Sequence, residues 1–262
     1  MAGTAEGRVA LITGAGQGLG RGMALALGAQ GATVAVNDII AERAQKVAKE
    51  IVDAGGKAAP AVFDVRDFEQ VKAGVAKVEA EIGPIDILCS NAGGGAETGG
   101  SIPAKFKDAD PSTWRKSLDL DLMGSLYVIR TVLPGMAARG WGRVVQTSSA
   151  AGSKGFPMGS SIYGAAKAGI EGAIRHIAIE EAKSGVTLNC ITPGILSNNV
   201  GRPGMDGSGA ATAPVPTLAA VPIGRFTEPS EVAQAVVWLT SEAAAIVTGQ
   251  TVHCNGGSLH GR

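Results

Sequence analysis

The sequence is short of aromatic residues, short of cysteine and without an excess of either charge, and each shortage narrows what the chain can be. Lys and Arg number 23, as do Asp and Glu, so the formal net charge is zero, and no charged block or basic stripe interrupts the chain. Neither nucleic acid nor an anionic membrane surface is therefore expected as the main partner. Near-neutral charge also eases self-association. The three cysteines, Cys89, Cys190 and Cys254, are odd in number, far apart and each set in an apolar segment. That pattern predicts buried reduced thiols in a cytoplasmic protein rather than disulfides, and no metal site is assigned. No apolar run approaches ~18 residues, so no membrane span is expected, and Met1 to Arg8 carries no signal-type apolar stretch.

What is present is apolar and rich in glycine. Hydrophobic residues make up 45% of the chain, enough for a sizeable core, and 39 glycines mark places where backbone comes close to something else. Short apolar runs alternate with helical patterns. Strands are expected at Arg8 to Thr13, Ala32 to Val36, Ala58 to Phe63, Ile85 to Cys89, Arg143 to Thr147, Val186 to Ile191 and Gln250 to Cys254. Helices are expected at Met23 to Gln30, Ala41 to Ala54, Asp67 to Ile82, from Asp110-Pro111 to about Ala138, Ser161 to Ile179, and Ser230 to Leu239. Strands alternating with helices predict an α/β fold, a doubly wound parallel sheet with helices on both faces. Ligands on such sheets bind beyond the carboxyl ends of the strands.

Chemistry-bearing residues gather at those ends. Thr13-Gly-Ala-Gly-Gln-Gly-Leu-Gly20 joins the first strand to the first helix, with glycines at Gly14, Gly18 and Gly20. Strand, glycine loop and helix N-terminus together cradle phosphate. A tight glycine turn without a ligand is the plainer alternative. Asp38 closes the second strand, 18 residues past Gly20, where an acid can bond the adenosine ribose. A carboxylate there would repel a 2′-phosphate, which favours NAD over NADP. The plainer role for Asp38 is a helix cap. Asp64 and Asn91-Ala92-Gly93 stand at the next two strand ends, and Gly93 to Gly100 reads as a long mobile loop. Asp119 and Asp121 interrupt an apolar helix; exposure or local hydrogen bonding is the default for both and a site role the sharper expectation for Asp121.

Tyr163 and Lys167 lie four apart on one helix face. A free tyrosine titrates near pH ~10, and a cation beside it favours the phenolate. The pair is a candidate acid/base for a proton on an oxygen. Ser149, at a strand end shortly before it, could bond a substrate oxygen. Ile195 to Val221 is rich in Gly, Ala and Pro, has no aromatic and only Arg202 and Asp206 as charges. A segment of that length without structure of its own is expected to be a lid over the substrate.

Thr13-Gly14-x-x-x-Gly18-x-Gly20, Asp64-Val65, Asn91-Ala92-Gly93, Ser149, Tyr163-x-x-x-Lys167 and Pro193-Gly194, in this order, resemble the short-chain dehydrogenase/reductase family, and the resemblance covers nearly the whole chain. Pro222-Ile-Gly-Arg225 with Glu231-Val-Ala233, and Thr248-Gly-Gln250 through Asn255-Gly-Gly257, are similar to the family's closing motifs. The resemblance implies a Rossmann-type three-layer single domain over residues 1–262 and a homotetramer. It implies a proton exchanged by Tyr163, Lys167 tuning that phenol and bonding the nicotinamide ribose, and Ser149 on the substrate oxygen. It further implies a dinucleotide held by Gly14, Gln17, Gly18, Leu19, Gly20, Asp38, Asp64, Val65, Asn91, Ala92, Gly93, Pro193 and Gly194.

Three positions depart from the family pattern. Asp121 stands where the family usually has Asn, which helps hold a water in the proton relay. Ser149 lies 14 residues before Tyr163, one more than usual, leaving Ser148 as the alternative. Asn198 stands where Thr is frequent, and its amide could bond the nicotinamide carboxamide. The leading expectation is an NAD-dependent oxidoreductase acting on a secondary alcohol or ketone of apolar, cyclic, aryl or steroid-like character. The alternatives are a 3-oxoacyl reductase and, in another class, a dinucleotide-binding sensor without turnover.

Overall fold

The computed structural model describes residues 3–94, 105–155, 161–197 and 221–258. Within them seven strands form one parallel sheet: β1 (Val9–Ile12), β2 (Thr33–Asp38), β3 (Lys57–Val62), β4 (Ile87–Ser90), β5 (Gly142–Thr147), β6 (Val186–Pro193) and β7 (Thr251–Cys254). Their spatial order is β3-β2-β1-β4-β5-β6-β7. The helices are α1 (Gly18–Ala29), α2 (Ala41–Asp53), α3 (Phe68–Glu81), α4 (Trp114–Leu118), α5 (Gly124–Ala138), α6 (Ser161–Glu180) and α7 (Pro229–Leu239). The alternation read from the sequence is thus a doubly wound Rossmann sheet, with boundaries moved by a few residues at most sites.

The period of two along each strand explains why helices cover both faces. Ala10 and Ile12 of β1 and Ile87 and Cys89 of β4 face one core, shared with Met23 and Leu27 of α1, Val47 and Ile51 of α2, and Val232 and Val236 of α7. Leu11 and Leu88, one residue out of step, face the other, shared with Val71 and Val75 of α3, Val128 and Val132 of α5, and Ile170 and Ile174 of α6. A strand apolar on both faces cannot leave either to water, so the sheet takes a layer on each side. In α2 the buried positions are Ala44, Val47, Ala48 and Ile51, the i, i+3, i+4, i+7 stripe of an amphipathic helix. Cys89 and Cys190 are buried free thiols and Cys254 is half-buried. Burial pushes the first two up to about 12, so they stay neutral.

The segment expected as one helix from Asp110 to Ala138 is in fact broken. Asp110 caps a short 3-10 turn through its bond from the Ser112 N–H, α4 follows, and Asp119–Met123 widens into a π turn before α5 begins. A π turn inserts a residue and changes which side chains face inward. Asp119 stays near the surface and pairs with Arg115 at 2.8 Å, whereas Asp121 is fully buried.

The core between sheet and α6 gives a stability prediction. Ile174 is fully enclosed, so Ile174→Ala should cost about 2–5 kcal/mol. The expected result is a lower urea midpoint with an unchanged slope; an unaltered midpoint would show that α6 does not anchor this face.

Candidate active site

The strand order reverses between β1 and β4, and a crevice opens where their carboxyl ends diverge. The glycine loop leaves β1 on one side of it. Gly14 has φ +61°, and a Cβ there would lie 2.9 Å from the Ala92 Cα. A Cβ on Gly20 would run into the Gly14 carbonyl and come within 2.6 Å of Asn91 Nδ2. Both glycines are needed to close the loop against the β4 end, so the tight-turn role is real. The loop also feeds α1 without a cap. Gln17 is extended and its side chain makes no capping bond. The first N–H groups of a helix have no partner within it, so those of Gly18, Leu19 and Gly20 can face an anion. The Leu19 side chain itself packs into the core, leaving its backbone as the part that could meet a ligand.

Asp38 is the last residue of β2 and is 7% exposed. Its Oδ2 accepts from the Gly16 N–H at 3.1 Å and its Oδ1 from the Ile40 N–H at 2.9 Å. The capping role and a position beside the glycine loop therefore coexist in one carboxylate. Asp64 follows β3 and is clamped by Arg66 at 2.7 Å. Burial would raise its carboxyl, but the guanidinium outweighs this and holds it below the usual range. Val65 turns into the core beneath Gly124, so only its backbone is free for a ligand.

Asn91 ties three strand ends together. Its Nδ2 donates to the carbonyls of Thr13 and Gly14, at 3.1 and 3.3 Å, and its Oδ1 accepts from Thr147 Oγ1 at 3.1 Å. Thr13 Oγ1 accepts from the N–H groups of Asn91 and Ala92, at 2.9 and 3.0 Å. Thr13 entered the sequence reading only as the start of the glycine motif, and Thr147 only as a strand end, although each is the hydroxyl residue at a strand's carboxyl end.

Lys167 is 2% exposed and Asp121 0%. Lys167 Nζ lies 3.4 Å from Asp121 Oδ1, donates to the Thr147 carbonyl at 3.2 Å, and sits 5.5 Å from the centre of the Tyr163 ring. Burial pulls the ammonium's pKa down, while Tyr163 and Asp121 together more than reverse this, so it ends above the ordinary lysine range. Asp121 Oδ1 also accepts the Gly94 N–H at 2.8 Å. A Cβ on Gly93 would lie 2.7 Å from that carboxylate oxygen and 3.2 Å from Nζ, and one on Gly94 would touch the Tyr163 ring at 3.5 Å. Of the defaults for Asp121, exposure is wrong, because the π turn carries it into the interior, while local hydrogen bonding is what it makes, to Gly94 and Ser117. Gly94, the residue that bridges it to Tyr163, was missed.

The two serines after β5 separate cleanly. Ser148 is buried, and its Oγ donates to Glu171 Oε1 at 2.5 Å. Ser149 is half-exposed and caps the 3-10 turn Ala150–Gly152, its Oγ accepting from Ala151 N–H at 3.3 Å. The Ser149 hydroxyl keeps its proton free to donate outward, whereas that of Ser148 is committed to the buried carboxylate. Pro193 ends β6, and the Gly194 N–H donates to the Cys254 carbonyl at 2.9 Å. A Cβ on Gly194 would lie 2.5 Å from Thr227 Oγ1. Thr227 further donates its N–H to Ile195 and accepts from Ser197, so it pins the start of the 195–221 segment. Of that segment only residues 195–197 and 221 lie within the described part. Asn198 lies outside it, as do residues 95–100 of the glycine-rich loop.

A dinucleotide fits this constellation. The uncapped α1 terminus could take its pyrophosphate, Asp38 a ribose, the Asn91–Gly93 turn the adenosine side, and Lys167 the second ribose. Among the described residues no cluster of His, Cys, Asp or Glu could hold a metal ion, and no helix is long and apolar enough to cross a membrane.

Comparison with known proteins gives the class. Residues 8–204 match the short chain dehydrogenase family. The chain is 36% identical over 252 residues to the 3-oxoacyl-[acyl-carrier-protein] reductase of Vibrio harveyi, covering 96% of this chain and 97% of that protein. It is 36% identical over 257 residues to the acetoacetyl-CoA reductase of Shinella zoogloeoides, covering 96% and 98%. Among solved structures, a gluconate 5-dehydrogenase from Burkholderia cenocepacia, in complex with NADP and tartrate, superposes with a TM-score of 0.86 at 31% identity, covering 97% of this chain and 95% of that one. The chain belongs to the short chain dehydrogenase family of oxidoreductases, with that family's nicotinamide-dinucleotide-binding fold.

The glycine loop is tested by Gly20→Ala. The added methyl must displace Gly14 or Asn91, at a cost of about 1–3 kcal/mol. Dinucleotide titration followed by fluorescence should show affinity falling at least tenfold, with a lowered Tm; affinity equal to the parent's would remove this loop from the binding site.

Proposed function

We propose that the protein transfers hydride between a nicotinamide dinucleotide and the carbonyl carbon of a ketone, or the reverse from a secondary alcohol, with Ser149, Tyr163 and Lys167 as the catalytic groups. The observation that carries this is the buried Lys167 ammonium beside the Tyr163 ring at the mouth of the crevice. A bound nicotinamide supplies or takes up the hydride. In reduction the Tyr163 hydroxyl gives its proton to the substrate oxygen, and in oxidation it takes that proton back. Ser149 Oγ donates a hydrogen bond to the same oxygen and fixes its position. Lys167 stabilises the phenolate left behind and bonds the nicotinamide ribose. In this reading Gly14, Gln17, Gly18, Leu19 and Gly20 hold the pyrophosphate, Pro193 and Gly194 back the nicotinamide, and the single domain assembles as a homotetramer; the roles expected for Asn198 and for a 195–221 lid fall largely on residues outside the described part.

For the substrate, the two reductases quoted above favour a 3-oxoacyl thioester and the reductive direction over the apolar alcohol that the sequence put first. The second reading, a cyclic or aryl secondary alcohol, rests on the nearly uncharged 195–221 segment. For the cofactor, Asp38 supports NAD: its carboxylate has both oxygens engaged by backbone at the position a 2′-phosphate would approach.

Two experiments test this. NADH should bind more tightly than NADPH, and Asp38→Ala should narrow the gap by roughly tenfold, one pK-scale step of charge repulsion; a clear NADPH preference in the parent protein rejects the cofactor assignment. A panel of 3-oxoacyl thioesters and cyclic ketones, run with both cofactors, should show turnover that Tyr163→Phe abolishes while dinucleotide binding persists. Turnover surviving in that variant would move proton transfer to another group, and no turnover on any substrate would favour a sensor.

A further inference from the structure

The feature that sets this site apart is a carboxylate inside it. Asp121 contacts Lys167 Nζ directly at 3.4 Å, with both side chains out of solvent. Its other partners are the Gly94 N–H at 2.8 Å and Ser117 Oγ at 3.5 Å. The cluster of Asp121, Lys167 and Tyr163 therefore carries no net charge while the phenol keeps its proton. Loss of one proton, from whichever group, takes it to a net negative charge in a medium that disfavours charge.

Among the described ionisable groups around Lys167, Asp121 is the one in direct contact with the ammonium. On α6, Glu171 lies one turn beyond Lys167 and keeps its charge, but its oxygens accept from the Ser148 and Ser153 hydroxyls rather than pairing with Lys167. Arg175, His176 and Glu180 lie two or more turns further along, about 12 Å or more from Lys167. From β6, Cys190 is a neutral thiol pushed up to about 12 by its burial. From α4 and the π turn, Arg115 and Asp119 neutralise each other at the surface, and Lys116 is exposed. Among the described residues Asp121 is the carboxylate within ion-pair distance of Lys167.

We infer that Asp121 is a positioning residue that offsets the Lys167 charge and so keeps the reacting cluster protonated to higher pH than a neutral side chain would. The inference rests on the proposed role of Tyr163 and refines it. A cluster that keeps its proton to higher pH stays available as a donor over a wider range, which suits carbonyl reduction. By the same bond to Gly94, Asp121 fastens the start of the glycine-rich loop against the Tyr163 ring.

The test uses the fact that the chain has two tyrosines, Tyr127 and Tyr163. Tyr127 packs on Phe68 away from the cluster, so Tyr127→Phe leaves residue 163 as the sole source of tyrosinate absorbance. In that background and without cofactor, Asp121→Asn should move the tyrosinate titration to lower pH by about one unit or more, the size expected on removing an opposing charge at this range. Asp121→Ser, equally uncharged, should move it the same way and serves if the amide variant folds poorly. In the Asp121→Asn enzyme the alkaline fall of kcat/KM for reduction should shift in parallel. A titration unmoved, or moved to higher pH, overturns the inference. Turnover surviving Tyr163→Phe would instead overturn the proposed function, and it leaves the absorbance result standing on its own.

Discussion

A lysine ammonium held wholly out of water is the constraint on which the rest of this molecule depends. An isolated buried charge costs several kcal/mol unless it is paired and hydrogen-bonded. Lys167 meets that demand with a carbonyl from the end of β5, a carboxylate from the π turn and the face of an aromatic ring from its own helix. Each partner arrives from a different part of the chain. The charge therefore forces β5, the π turn and α6 into one arrangement, and the Tyr163 ring is fixed as a by-product. Packing of α6 against the sheet through Ile170 and Ile174 supplies the rigid platform from which the ammonium projects.

Beside that charge lies a second polar tie that joins the strand ends. Asn91 spends its amide on the β1 turn and on Thr147, and Thr13 returns two bonds to the Asn91–Ala92 backbone. The carboxyl ends of β1, β4 and β5 are thus joined across the point where the strand order reverses. The same tie brings Gly14 and Gly20 so close to Asn91 and Ala92 that no side chain is admitted. Glycines that could serve a phosphate are already obliged by packing, and the two uses reinforce each other. A loop that must be bare for structural reasons exposes its N–H groups without further cost.

Much of this was legible in the residues because two periods, 2 in the strands and 3.6 in the helices, survive burial. All seven strands and the paired helices followed from that alone, and Tyr163 and Lys167 were singled out by their spacing on α6. The misses share a cause: they depend on side chains that meet only after folding. A π turn has no sequence signature of its own, so the sequence, though it singled out Asp121 for a site role, could not show that Asp119 would pair with Arg115 at the surface and Asp121 with Lys167 inside. Which of Ser148 and Ser149 keeps a hydroxyl proton to spare depends on Glu171, 23 residues from Ser148, which claims the first hydroxyl. Asp38 looked like either a cap or a ligand, and only the two backbone bonds reveal that the first role does not exclude the second.

The two buried carboxylates beside the crevice are held in different ways, and the difference bears on chemistry. Asp38 is bonded by backbone N–H groups, which carry no net charge, so its negative charge remains to act on whatever approaches the end of β2. Asp121 is paired with an ammonium, so its charge is spent inside the protein and reaches a ligand only through the state of Lys167 and Tyr163. One carboxylate keeps an unneutralised charge at the end of β2, the other has its charge offset by a buried ammonium. Exchanging either for its amide preserves shape and removes charge, so that change separates the electrostatic role of these residues most directly from their place in the packing.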